Sequence, residues 1–148
     1  MASTISIPTR FSERVVVTKA LLIVGILSSV LYVIMNIVVP IQYEGYNSVT
    51  QTISELSAID APTRPLWVWL GVVYTLLITA FGWGIIKSSA HYRPLRIAGV
   101  LMVVYGIVGI FWPLAPMHQR EVLAAGGGTI SDTLHLVMAM VSSLFMTV

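Results

Sequence analysis

The chain has 148 residues, 57% of them hydrophobic and only 9% charged, with a formal net charge of +2 and no cysteine. A water-solvated globular surface is excluded, because soluble domains are near half apolar and about a quarter charged. The absence of cysteine removes disulfides, thiolate metal ligands and cysteine nucleophiles, and the few cations are scattered beside apolar runs, so nucleic acid is not an expected partner.

The apolar residues come in blocks of about twenty, the length that crosses ~30 Å of hydrocarbon at about 1.5 Å per residue. The first predicted span covers 15–39 and ends at Pro40. Arg10, Glu13, Arg14 and Lys19 precede or open it, and no A-x-A cleavage site follows, so it is read as a retained span and not as a removable signal. Gly25, Ser29, Tyr32 and Asn36 stand at i, i+4, i+7 and i+11, one stripe of a helix. Such a stripe predicts a face turned to other helices, with a ligand contact as the alternative.

Residues 40–65 form a polar connection in which Ser48 and Gln51 have the spacing of a capping box. The spacing predicts a short interfacial helix over about 48–58, with Val49, Ile53 and Leu56 as its apolar edge. The segment DAPTRP (60–65) ends it, since each proline disfavours helix in the residue before it.

The second span, about 66–86, opens with Trp67 and Trp69 at the interfacial level that suits their rings. A short basic loop follows, and the third span runs over about 97–114. Gly99, Gly106 and Gly109 share one of its faces, allowing close approach by a helix of this chain or of a second copy in a homo-oligomer. After a polar loop at 115–129, Thr129 and Asp132 fit a capping box, and 130–148 is just long enough for a fourth crossing. No basic anchor follows Val148, so a fragment, or the product of a truncated gene, from a longer bundle is expected.

The expected fold is therefore all-α, a transmembrane bundle of four spans with one short interfacial helix. Six basic residues (Arg10, Arg14, Lys19, Lys87, Arg93 and Arg96) lie on one side of this scheme and two (Arg64 and Arg120) on the other. The positive-inside rule then puts both termini in the cytoplasm, in a cell membrane.

Candidate chemistry gathers on the outer side. Asp132 and His135 lie at i and i+3 of the last helix, where an ionisable group is expensive unless paired or wetted. Joined by His118 they could ligate a divalent, zinc-like ion, with Glu55 as a further oxygen. The competing reading is that Asp132 caps the helix and orients His135. Ser48, Ser54 or Ser57 could serve as a nucleophile, although no G-x-S-x-G or H-E-x-x-H motif is present. The Gly126-Gly127-Gly128 run needs no explanation beyond loop flexibility. Arg64 and Arg120 could hold a lipid phosphate or carboxylate, or could pair with Glu55, Asp60 or Asp132 to fasten the loops.

The run NSVTQTISELSAIDAPTR (47–64), then PMHQR (116–120), then DTLH (132–135), resembles the prokaryotic multi-pass membrane family catalogued as domain of unknown function 998. The resemblance covers nearly the whole chain from Lys19. It implies a bundle of usually six spans, from which a chain ending in its fourth departs, and it supplies no activity. The outward Ser, Asp and His positions of that family are loosely similar to those of membrane-embedded metal hydrolases of the alkaline ceramidase type. Two functions follow as expectations. One is a binding or structural membrane protein that receives a lipid or small solute at its outer face. The other is a metal-dependent hydrolase of a lipid or amide, with His118, Asp132 and His135 on the metal and Glu55 or Ser48 assisting.

Overall fold

The computed structural model describes residues 9–147; Val148, the expected end of the fourth span, and the side chains of Arg10 and Arg14 lie outside the described residues. Helix α1 spans Thr9–Ile41, α2 Arg64–Ser88, α3 Arg93–Ile110, α4 Arg120–Ala124 and α5 Ile130–Thr147. Two 3-10 turns, Ile53–Ser57 and Trp112–Leu114, punctuate the connections. Among the described residues there is no strand, and the fold is an all-α bundle. Val15–Ile41, Arg64–Ser88 and Arg93–Leu114 are long and apolar enough to cross a membrane, whereas α5 offers a shorter apolar stretch, Ile130–Phe145. The protein is a helical membrane protein.

Helix α2 is the centre of the bundle, with α1 on one flank and α3 on the other, and α5 packs against α3 and the Trp112–Leu114 turn. Glycine decides how closely these helices meet. A Cβ on Gly82 would stand 2.9 Å from the carbonyl oxygen of Gly99, and one on Gly99 would stand 2.9 Å from that of Gly82. Gly106 and Gly109 face Thr75 and Thr79 in the same seam. The glycine face foreseen on the third span is therefore covered by α2.

On α1 the packed stripe is Gly25, Ser28, Met35 and Val39, while Ser29 is exposed. Ser29 and Asn36 turn their polar atoms back onto their own helix, to the carbonyls of Gly25 and Tyr32. That local bond satisfies each side chain in hydrocarbon without a neighbouring helix, and within the foreseen stripe it is Gly25, against Phe81, and Tyr32, against Tyr74, that meet α2. Exposed Ile23, Ile26, Val30, Val33 and Ile37 cover the remainder of α1, as a lipid-facing surface requires.

The first long connection departs from the expected helix over 48–58. Ser48 does not cap a helix; instead Asn47 folds a turn, its Oδ1 accepting from the Val49 N–H and its own N–H donating to Gln51 Oε1. Helical structure begins at Ile53, where Glu55 Oε1 accepts from the N–H and hydroxyl of Thr52. The capping pair is thus Thr52 and Glu55, three residues apart like Ser48 and Gln51. Val49 is 93% exposed and forms no part of an apolar edge, while Leu56 is fully buried.

Candidate functional site

The two long connections, 42–63 and 115–129, meet at one end of the bundle, hereafter the loop end, and are laced together there. The Ile59 N–H donates to the Met117 carbonyl at 2.7 Å, and the Tyr43 hydroxyl reaches Gln119 Oε1 at 3.2 Å. Arg120 supplies the strongest tie. Its Nε and Nη2 donate to the two oxygens of Glu55 at 2.8 and 2.6 Å, and Nη2 also reaches the Thr50 carbonyl. Glu55 is 3% exposed and accepts further bonds from Thr52 and Gln51 Nε2. The Arg120 guanidinium, opposed by desolvation and helped by the Thr52 backbone and Gln51, holds the Glu55 carboxyl down at about 2. Glu55, foreseen as a catalytic assistant, is thereby an ion-pair partner with both oxygens engaged. Of the two readings of Arg120, a lipid contact or a carboxylate pair that fastens the loops, this is the second.

A second carboxylate anchors the start of α5. Asp132 Oδ2 accepts from the N–H and hydroxyl of Thr129, the acidic arm of the foreseen capping box. Its Oδ1 accepts from the His118 backbone N–H at 2.7 Å, and Oδ2 from His118 Nδ1 at 2.9 Å. Asp132 therefore caps its helix while orienting His118, and not His135. The side chain one turn further along, His135, is 4% exposed; its Nδ1 lies 2.8 Å from the Ala115 carbonyl and its ring meets the edge of Trp112.

These bonds correct the metal expectation. Asp132 is bonded to His118 and Thr129, whereas His135 bonds to neither of them and meets the Ala115 carbonyl. Among the described residues no group of three or more His, Cys, Asp or Glu side chains is placed to hold a metal ion. Of the three foreseen nucleophiles, Ser48 is exposed in the 48–50 turn, and the Ser57 hydroxyl donates to the Ser54 carbonyl; no bond joins Ser48, Ser54 or Ser57 to a histidine among the described residues.

A cavity of about 140 Å³ opens beneath this lacing, walled by all four long helices and by the Trp112–Pro116 segment. Tyr32 and Met35 come from α1, Trp67, Gly71, Tyr74 and Thr75 from α2, Tyr105 and Gly109 from α3, and His135 from α5. Tyr32 and Tyr74 pack against each other with ring centroids 5.3 Å apart. Two basic side chains face this largely apolar space. Arg64 uses Nη1 to donate to the Ser57 carbonyl at 2.6 Å and has no carboxylate partner among the described residues. His135 Nε2 is buried with no hydrogen-bond partner.

The sequence pattern of a family described as protein of unknown function (DUF998) matches residues 26–148. The chain belongs to that family. No curated protein and no solved structure matches it. The matched stretch includes both connections and the residues laced there, Glu55, His118, Arg120 and Asp132, together with Arg64 and His135.

Part of the site was missed from the sequence. Trp67, Gly71, Tyr74 and Thr75 stand at i, i+4, i+7 and i+8, a spacing that marks one helix face and could have been found. The use of the Ala115 carbonyl by His135 left no signal, because a backbone acceptor is present at every residue.

Proposed function

We propose that this DUF998 protein binds an amphiphilic molecule with an anionic group, its apolar body in the cavity and its negative charge on Arg64. The observation that carries the reading is Arg64 itself: a guanidinium without a carboxylate partner among the described residues, lining a largely apolar space. Ligand sites are typically apolar concavities with a few placed polar groups, and a guanidinium presents five donors suited to carboxylate or phosphate. The lacing above, with Glu55–Arg120 and Asp132–His118 each internally satisfied, fits a scaffold that holds the cavity open. The loop end faces outward in this proposal, with both termini in the cytoplasm and α5 as a fourth crossing of the cell membrane, because six of eight basic residues then lie inside. The ligand is drawn from the outer leaflet or the outer aqueous phase.

Two of the four tryptophans, Trp67 and Trp112, line the cavity, so a Trp69→Phe/Trp83→Phe background reports on it. Titration of detergent-purified protein with 12-bromododecanoate should quench that fluorescence saturably. Arg64→Ala should weaken the quenching about tenfold, and methyl 12-bromododecanoate, which lacks the charge, should bind alike to both forms. Non-saturable quenching, or equal affinity of the two forms for the anion, overturns the reading.

A further inference from the structure

The hydrogen bond made by one nitrogen of His135 fixes what its other nitrogen can do. A backbone carbonyl only accepts, so the 2.8 Å contact between Nδ1 and the Ala115 oxygen requires the proton on Nδ1. In the neutral ring Nε2 is then a bare acceptor. It is buried and unpartnered, which native proteins seldom leave uncompensated. The ring cannot easily turn to relieve it: a flip would break the Ala115 bond, and Trp112 packs edge-on at 4.7 Å between centroids.

His135 also belongs to the cavity wall, together with Trp112, Ala115 and Arg64. Two polar side chains on its own helix are already committed. Asp132 serves His118 and Thr129, and the Ser131 hydroxyl donates to the Pro116 carbonyl at 2.6 Å. No donor of the protein answers Nε2 among the described residues, so its complement is a donor carried by the ligand.

We infer that the cavity selects amphiphiles bearing a hydroxyl or amide N–H, which donates to His135 Nε2 while an anionic oxygen of the same molecule meets Arg64. This inference rests on the binding reading above and names the ligand class within it: hydroxylated or N-acylated acyl chains in preference to plain ones. An acceptor-only group, such as an ester or ether oxygen, would face the Nε2 lone pair and be disfavoured. Hydrogen-bonding sites reject analogues lacking the matching group far better than apolar pockets reject an added one, so His135 is a specificity-determining residue.

The test is competition against 12-bromododecanoate in the Trp67/Trp112 reporter background. Competitors are dodecanoate and its 2-, 3-, 6- and 12-hydroxy derivatives, a set that brackets the unknown spacing from the carboxylate. At least one hydroxylated acid should displace the probe at about tenfold lower concentration than dodecanoate, as expected for one hydrogen bond to a buried acceptor. His135→Phe, which keeps an aromatic ring of similar reach, should abolish that advantage, so that hydroxylated acid and dodecanoate displace the probe at the same concentration. No advantage at any position, or an advantage that survives His135→Phe, overturns the inference. Should His135→Phe not fold, ¹⁵N spectra of imidazole-labelled protein decide instead. Nε2 should resonate as an unprotonated nitrogen and shift on addition of the preferred hydroxy acid but not of dodecanoate. A proton found on Nε2 in the ligand-free protein overturns it equally. Absence of saturable quenching by 12-bromododecanoate would count against the amphiphile site, whereas these outcomes bear only on the donor.

Discussion

Replacing Arg120 by alanine tests the idea that one ion pair fastens the two long connections. The substitution removes two charge-assisted hydrogen bonds to Glu55 and one to the Thr50 carbonyl, and it leaves a carboxylate that is 3% exposed. Breaking a fully buried pair costs about 3–5 kcal/mol. The arginine side chain is 42% exposed, however, and Thr52 and Gln51 still donate to Glu55, so water and three remaining bonds reduce the penalty. Screening and the surviving bonds together bring the expectation to about 2 kcal/mol. That loss should appear as local opening of the loop end, because the helices below are held by the α2–α3 glycine seam and not by this pair. Hydrogen exchange in detergent is the assay. The Ala58 and Ile59 amides, which donate to the Glu55 and Met117 carbonyls, should exchange roughly 30-fold faster, while amides of α2 stay protected. Unchanged exchange at Ala58 and Ile59 would refute the clasp; equal acceleration throughout α2 would refute its local character. Acid supplies the same perturbation without mutation. Folding lowers the Glu55 carboxyl from its ordinary 4.5 to about 2, chiefly through Arg120, so its contribution is complete above pH 4.5 and is lost as pH falls through about 2. The same two amides should therefore loosen between those limits in wild type and respond less in Glu55→Gln.

Other outcomes follow from the packing and the cap. Gly106→Val should lower the detergent melting temperature sharply, at a cost of about 3 kcal/mol or more, because its side chain would meet Thr79 and the Thr75 carbonyl; a melting temperature within error of wild type would refute the close seam. His118→Ala removes one side-chain bond to Asp132 but keeps the backbone N–H bond, so it should destabilise the first turn of α5 by only about 1 kcal/mol, read from exchange at residues 132–134. Asp132→Asn loses the charge that faces four donors and should cost more than His118→Ala; the reverse order would show that the histidine, not the cap, is the stronger tie.

The site was legible in the sequence as a collection and illegible as an arrangement. Glu55, Arg64, His118, Arg120, Asp132 and His135 were all foreseen at one end of the bundle, since scarce ionisable groups cannot remain in hydrocarbon. Their partners were not foreseen as geometry. Glu55 and Arg120 are 65 residues apart, and which carboxylate that arginine finds depends on how two irregular connections close over the helices. The Thr129–Asp132 cap was read correctly because a capping box is local, while the Ser48 cap was displaced to Thr52 by a competing Asn47 turn of equally local character.

By itself the sequence determined the all-α membrane character and the approximate positions of the three long apolar helices, because each depends on run length and composition over some twenty residues. Only the tertiary structure decided that the α3 glycines serve α2, that Asp132 holds His118, and that Arg64 and an orphaned His135 nitrogen share one cavity. Those outcomes depend on helix rotation and on distances between residues remote in sequence, which no local periodicity encodes.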